Sequence, residues 1–159
     1  MPMQVLINII IGVLWMFFQD NWSVLTFSGG YLLGLFILFI LRRFLPDKFY
    51  LFTLQAMVEL LLIFIYELIT SSILVIGKII APKINIKPGI FAFETSLEGD
   101  VEVTLLSMLI TLTPGSVVVE VSHDNKILYV HAMDIPELSD AVLRSKDRFE
   151  KAIKKVTRP

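Results

Sequence analysis

Two acidic residues inside an apolar segment are the side chains of this chain best placed to do chemistry. Glu59 and Glu67 lie within "LQAMVELLLIFIYELITSSILVIGK", Leu54 to Lys78. An ionisable group inside a membrane is a candidate ligand for a proton or a cation, whereas a carboxylate on a helix at the membrane surface only faces water. The sequence leaves both interpretations open, and Glu59 and Glu67 are therefore the candidate ion-pathway residues.

The remaining candidates for chemistry do not form a site. His123 and His131 are the only histidines, and the chain contains no cysteine. In a hairpin that turns at Asp124–Asn125, His123 lies beside the turn and His131 several residue pairs away, so the two cannot share a metal ion. "SHD", residues 122–124, is not a catalytic triad because adjacent side chains point apart. The sequence predicts no catalytic residue, no metal site and no cofactor, and it does not indicate an enzyme.

The composition indicates a membrane protein with an aqueous domain. Of the 159 residues, 55% are hydrophobic and 18% are charged, and the mean hydropathy is +0.75. A soluble domain of this length and composition would expose too much apolar surface to water. The net charge of −1 argues against a nucleic-acid partner. Because the chain is apolar from Met3 to Ile80 and carries most of its charge after Lys83, we expect a membrane part followed by an aqueous domain.

The first 48 residues have the pattern of a transmembrane helical hairpin. Met3–Phe18 and Ser23–Leu41 contain no charged residue, and a short polar break separates them. Each is about as long as a segment that crosses a bilayer. We therefore predict two spanning helices within 1–48.

Small and polar residues within this hairpin are candidates for helix packing. Gly30 and Gly34 form a G-x-x-x-G pattern, which allows another helix to approach closely. Asn8 is a polar side chain at membrane depth, where we expect it to bond to a neighbouring helix. Gly30, Gly34 and Asn8 are the predicted helix-packing residues.

A third helix is expected within 49–83, and hydropathy does not decide whether it spans the membrane. Its Leu, Ile, Val and Phe residues contribute roughly −4 to −8 kcal/mol on an insertion scale, while the two glutamates return about +5 to +7 kcal/mol. If only the hairpin spans, the basic residues after it share one side, as the positive-inside rule prefers. These residues are Arg42, Arg43, Lys48, Lys78, Lys83 and Lys87. We predict a membrane-associated helix and a cytoplasmic C-terminal domain.

Residues 84–159 have the pattern of a small α+β domain with the order β-α-β-β-α. Alternating strands and amphipathic helices are separated by turn residues. Asp100 is expected to cap the first of these helices, and Asp134 with Glu137 resembles a capping box before the last. In "TLTPGS", Thr113, Pro114 and Gly115 form the predicted structural turn that ends the first helix.

The order of these segments resembles the E-type subunit (MrpE/MnhE family) of the multisubunit Mrp, also called Mnh, cation/proton antiporters of bacteria. The resemblance covers essentially the whole chain and is carried by "KPGIFAF", "LLSMLITLTPGSVVVEV" and "LYVHAMD". Its most specific part is the block from Leu109 to Asp134.

This resemblance implies an accessory subunit of a large complex in the bacterial plasma membrane. Such complexes exchange cytoplasmic Na⁺ for external H⁺ and support sodium resistance and pH homeostasis. Their other subunits and the membrane lipid would be the partners, and the larger subunits would carry the ion pathways. Two alternatives stay open: a membrane-anchored module that recruits a soluble partner, and a small homo-oligomeric channel with a ring of Glu59 or Glu67.

Overall fold

The structure, a computed structural model, describes residues 2–44, 49–83 and 86–158. Lys48, one of the basic residues considered for the positive-inside rule, lies outside these ranges. The predicted domain boundaries after residues 48 and 83 adjoin the gaps and stay predictions. The chain forms two compact units, Met1–Gln55 and Ala56–Pro159.

The first unit is built on a helical hairpin. Helix α1 spans Pro2–Phe18 and α2 spans Val24–Leu41, and α3 begins at Tyr50 and ends at Ile80. Ser23 caps α2 because its side chain accepts a hydrogen bond from the Thr26 backbone N–H. By length and composition, α2 and α3 are apolar enough to cross a membrane, with mean hydropathies of 2.2 and 2.3, and α1 is a shorter apolar helix.

Two of the three glycines of α2, Gly30 and Gly34, lie where α1 approaches most closely. A Cβ atom added to Gly30 would lie 2.5 Å from Trp15 Cβ and 3.0 Å from Gly12 Cα. A Cβ atom added to Gly34 would collide with the Asn8 side chain. Hydrogen at both positions therefore allows the contact between α1 and α2.

Asn8 also belongs to a buried polar cluster in the first unit. It is 0% exposed, and its Nδ2 donates to the Tyr50 hydroxyl at 2.9 Å. The Tyr50 hydroxyl also shares a hydrogen bond with Tyr31 at 2.9 Å, and the Tyr50 N–H donates to Gln4 Oε1 at 3.0 Å. These bonds offset part of the cost of burying polar groups in an apolar unit, since Asn8 Oδ1 has no hydrogen-bond partner among the described residues.

The second unit combines α3 from Ala56 with a three-stranded sheet and two further helices. Its elements are β1 (Gly89–Glu94), α4 (Asp100–Leu112), β2 (Ser116–Val121), β3 (Ile127–Ala132) and α5 (Ile135–Thr157). From β1 onward this is the β-α-β-β-α order that the sequence predicts. All pairing is antiparallel, in the spatial order β1-β3-β2.

The core of the second unit lies between the sheet and its helices. Leu128 and Val130 of β3, Leu106 of α4 and Phe149 and Ile153 of α5 are each 0% exposed. α3 contributes to this core from one face, through three partly buried residues: Leu60, Ile63 and Phe64. The inner face of α3 is thus part of the core of the second unit.

Two local predictions from sequence are wrong. Gly99, with φ 107°, is the N-cap of α4, and Asp100 is the first helical residue. In the sequence, Val117, Val119 and Val121 alternate with their neighbours, a pattern that predicts one shared face in β2. A bulge between Val118 and Glu120 instead shifts the register, because the extra residue of a bulge opposes no partner.

Hydrogen bonds connect the C-terminal end of α5 to the first turn of α4. Arg158 donates to Glu102 twice, from Nε to Oε1 at 2.9 Å and from Nη2 to Oε2 at 2.7 Å. The Thr157 hydroxyl donates to Glu102 Oε1 at 2.5 Å. Glu102 is buried, and the bond from Arg158 holds the pKa of this carboxyl at about 2 instead of its ordinary 4.5.

Replacing Gly30 by alanine should destabilise the hairpin, whereas replacing Gly29 should not. The methyl group of an alanine in place of Gly30 would overlap Trp15, and overpacking costs about 1–3 kcal/mol. At Gly29 the nearest atom, Trp15 Nε1, would be 3.9 Å from the new Cβ. Thermal unfolding of the purified full chain in detergent checks this by comparing the midpoints of the two variants. Equal midpoints would contradict the close-contact interpretation.

Replacing Glu102 by glutamine should lower the free energy of unfolding at pH 7 by about 1.5–3 kcal/mol, the range for a hydrogen bond to a charged group. Because the folded pKa is depressed, the stabilisation is complete above about pH 4.5 and is lost as the pH falls towards about 2. Urea unfolding of both proteins measures the difference against pH. Glu98→Gln is the control, since Glu98 is exposed and lies 3.5 Å from the same Arg158. A pH-independent difference would refute the assignment.

Candidate functional site

Three charged pairs join α3 to α5 and to Asp134, the N-cap residue of α5, and together they form the α3–α5 seam. The pairs are Glu59–Lys155 at 2.6 Å, Glu67–Arg148 at 2.7 Å and Lys78–Asp134 at 2.5 Å. Because the residue numbers rise along α3 while those of the partners fall, the two segments are antiparallel. The seam contains both predicted ion-pathway carboxylates, and it uses every charged residue of α3.

Glu67 is the buried member of the seam. Its Oε1 accepts a hydrogen bond from Arg148 Nη1 and its Oε2 accepts one from the Ser145 hydroxyl, both at 2.7 Å. Ser145 and Arg148 lie three residues apart on α5, so they present donors on the same helix face. The Glu67 carboxylate raises the pKa of Arg148. This carboxylate is therefore neutralised by a guanidinium that stays charged.

Glu59 lies at the solvent-accessible end of the seam. The side chains of Glu59 and Lys155 are 44% and 57% exposed, and exposed ion pairs contribute only about 0–1 kcal/mol. The two carboxylates of α3 therefore differ in kind, since Glu67 is built into the packing and Glu59 is only paired at the surface.

Asp134 closes the other end of the seam. Its Oδ2 accepts from Lys78, and its Oδ1 accepts from the Lys87 backbone N–H at 3.3 Å. The hydrogen bond from Lys78 is the main cause that lowers the pKa of Asp134. Asp134 occupies the N-cap position of α5, but its side chain does not make the expected capping hydrogen bond. The side chain of Glu137, the other half of that expected capping box, lies outside the described residues.

The predicted turn joins α4 to β2. Thr113 has an extended backbone (φ −83°, ψ 124°), and its N–H and hydroxyl both donate to the Ile110 carbonyl, at 3.2 and 2.6 Å. Gly115 has φ 96°, a region that disfavours other residues, and its carbonyl accepts from the Met133 N–H at 2.9 Å. Pro114 and its neighbours thus set the exit direction of the chain.

The histidines remain separate from this seam. His131 lies on β3 between Ile90 and Val117, and His123 lies beside the hairpin turn, where Asn125 has φ 59°. Among the side chains that the structure describes, which leave out those of residues 136–140, no group of three or more His, Cys, Asp or Glu could hold a metal ion.

Sequence reasoning found Glu59 and Glu67 but missed the partners that define their environment. Ser145 and Arg148 are separated from Glu67 by about 80 residues. One signal for them was available, because α5 carries polar residues at helical spacing on a face that its apolar stripe does not use. Nothing in the local sequence of α3 indicates which residues those side chains meet.

Comparison with known proteins places this geometry in a family. The family described as "Na+/H+ ion antiporter subunit" (MNHE) matches residues 8–156. The E-type subunit of the Na⁺/H⁺ antiporter of Bacillus subtilis (strain 168) is 46% identical over 158 residues, which cover 99% of this chain and all of that protein. The corresponding antiporter subunit of Alkalihalophilus pseudofirmus is 44% identical over the same shares of the two chains.

A solved structure shares the fold at lower identity. A chain of the membrane-bound sulfane sulfur reductase, an archaeal respiratory membrane complex, is similar with a TM-score of 0.56 and 21% identity, covering 96% of this chain and 98% of that one. The family match over most of the chain and the full-length relatives agree, and they confirm the resemblance that the sequence motifs indicate. The chain therefore belongs to the MnhE family of Na⁺/H⁺ antiporter subunits.

Proposed function

We propose that this chain is an accessory subunit of a multisubunit Na⁺/H⁺ antiporter complex in the bacterial plasma membrane. Its partners are the other subunits of the complex and the surrounding lipid, and Na⁺ and H⁺ are the ions that the complex exchanges. The chain itself acts in assembly and not in catalysis. Family membership supports the complex, and the α3–α5 seam supports the accessory role.

The observation that carries the accessory role is that Glu67 is already hydrogen-bonded and ion-paired with α5. A carboxylate that attracts a transported cation needs a charge that no neighbouring side chain already compensates. Both Glu67 oxygens instead accept hydrogen bonds from α5, and Arg148 neutralises the charge. The Glu67 side chain is 7% exposed, so its charge would be left buried and uncompensated if Arg148 were removed. Glu67 is therefore suited to hold α3 to the second unit.

The membrane arrangement forms part of the same proposal. The α1–α2 hairpin spans the bilayer, α3 is membrane-associated, and the C-terminal domain lies on the cytoplasmic side. Arg42 and Arg43 follow α2 directly, and Lys83 follows α3, so the basic residues flank the segments that lead into the domain. The positive-inside rule supports this orientation. The domain boundaries proposed are 1–48, 49–83 and 84–159.

A tag after Pro159 should migrate with a very large assembly on a native gel of gently solubilised membranes. The accessory role requires this because the chain then works only beside its partner subunits. Co-migration of the tag with antibodies against a larger subunit is the measurement. A tag that runs alone or as a small homo-oligomer would contradict the proposal and favour the channel alternative. Ion flux in liposomes that contain only this chain would support that alternative further.

Glu67→Gln should reduce recovery of the assembled complex, whereas Glu59→Gln should leave both recovery and antiport close to wild type. The first variant removes the buried carboxylate that bonds to Ser145 and Arg148, and a hydrogen bond to a charged group contributes about 1.5–3 kcal/mol. The second alters an exposed pair. The measurement is complex yield on native gels beside Na⁺-dependent proton exchange in membrane vesicles. If Glu67→Gln abolishes antiport while the complex assembles in full, the carboxylate belongs to the ion pathway.

A further inference from the structure

The face of α3 that points away from α5 is a continuous aliphatic stripe. Its residues recur at three- and four-residue spacing and are between 41% and 65% exposed: Val58, Leu62, Ile65, Ile69, Ile73 and Ile76. The three charged residues of α3 all lie in the seam on the other side. An apolar surface about five helical turns long is too large to be left to water in a stable protein.

The seam restricts how this helix can meet a membrane. Glu59 and Lys78 are roughly 28 Å apart along α3, which is close to the thickness of the hydrocarbon core. α5 runs beside α3 over that whole length, and ten of its 23 residues are charged. If α3 crossed the bilayer, α5 would be carried into hydrocarbon with it, and each charge there costs several kcal/mol. Length and composition make α3 a candidate span, but the charged α5 bound beside it excludes a spanning orientation.

We propose that α3, from Val58 to Ile76, lies parallel to the membrane plane with its aliphatic stripe in the acyl chains of one phospholipid leaflet and α5 on its water side. A helix in this position buries its apolar face about 5–10 Å below the headgroups. Tyr66 is 56% exposed, and the Arg148 guanidinium lies 5.4 Å from its ring centroid. An aromatic ring beside a basic group is typical of the headgroup level. The inference builds on the membrane placement proposed above.

The chemistry of the stripe favours lipid over another membrane helix. Helix contacts in membranes rely on small residues that let backbones approach, as Gly30 and Gly34 do within the hairpin. The stripe consists only of large aliphatic side chains, with no hydroxyl or amide to bond to a neighbouring helix. Flexible acyl chains cover such a surface without needing a matching shape.

Depth measurements at single cysteines test this arrangement, and the chain contains no cysteine of its own. Val58→Cys, Ile65→Cys and Ile76→Cys carry an environment-sensitive fluorophore in the full chain, within the assembled complex reconstituted into phosphatidylcholine–phosphatidylglycerol vesicles. Lipids with a nitroxide near the headgroup or deep in the acyl chain then quench the label. Leu32→Cys on the exposed face of α2 calibrates a deep position.

We expect the shallow nitroxide to quench more than the deep one at all three positions, with the same shallow-to-deep quenching ratio at each. At Leu32 we expect the deep nitroxide to quench more. A ratio that inverts at Ile65 but not at Val58 and Ile76 would show that α3 spans, because the ends lie roughly 27 Å apart. Labels shielded from both nitroxides would show a protein partner on the stripe and overturn the lipid assignment. The native gel is read separately. If the chain runs outside any complex, the proposed function is refuted, and the depth profile is then measured on the labelled chain alone in the same vesicles and still decides this inference.

Discussion

The pairing of Glu67 with Arg148 determines where the third helix can lie. A buried carboxylate is tolerated only with a partner that neutralises it and with donors for its oxygens. α5 supplies both through Arg148 and Ser145. In the proposed arrangement α5 is too charged to enter hydrocarbon, so its bonds to Glu67 keep α3 at the water boundary. A single buried carboxylate then links a local hydrogen-bond requirement to the proposed placement of a whole apolar helix.

The first unit meets a similar requirement by a different means. Its α1 and α2 contain no charged residue, so close packing and a small polar cluster replace ion pairs. Gly34 allows Asn8 to sit against the α2 backbone, and Asn8 then reaches the Tyr50 hydroxyl. The glycine and the amide therefore depend on each other. Contacts of this kind can hold two apolar helices together without an ion pair.

Much of the fold could be predicted from sequence because its signals are local. The hairpin, the strand alternation around Phe91 and Phe93, and the Thr113–Gly115 turn each follow from residues close together in the chain. The bulge in β2 and the cap at Gly99 were missed because several backbone conformations satisfy the same pattern. The environment of Glu67 was missed for a stronger reason, since it depends on residues about 80 positions away.

This last failure explains why hydropathy could not decide the course of α3. Insertion scales add residues as if each met lipid alone, so two glutamates cancel a long aliphatic run and the sum lies near zero. In the structure the glutamates meet α5 and the aliphatic stripe does not. The two contributions act on opposite faces of one helix and do not cancel. A near-zero sum with strong facial segregation is what an interfacial helix produces, because its charged face and its apolar face are stabilised by different surroundings.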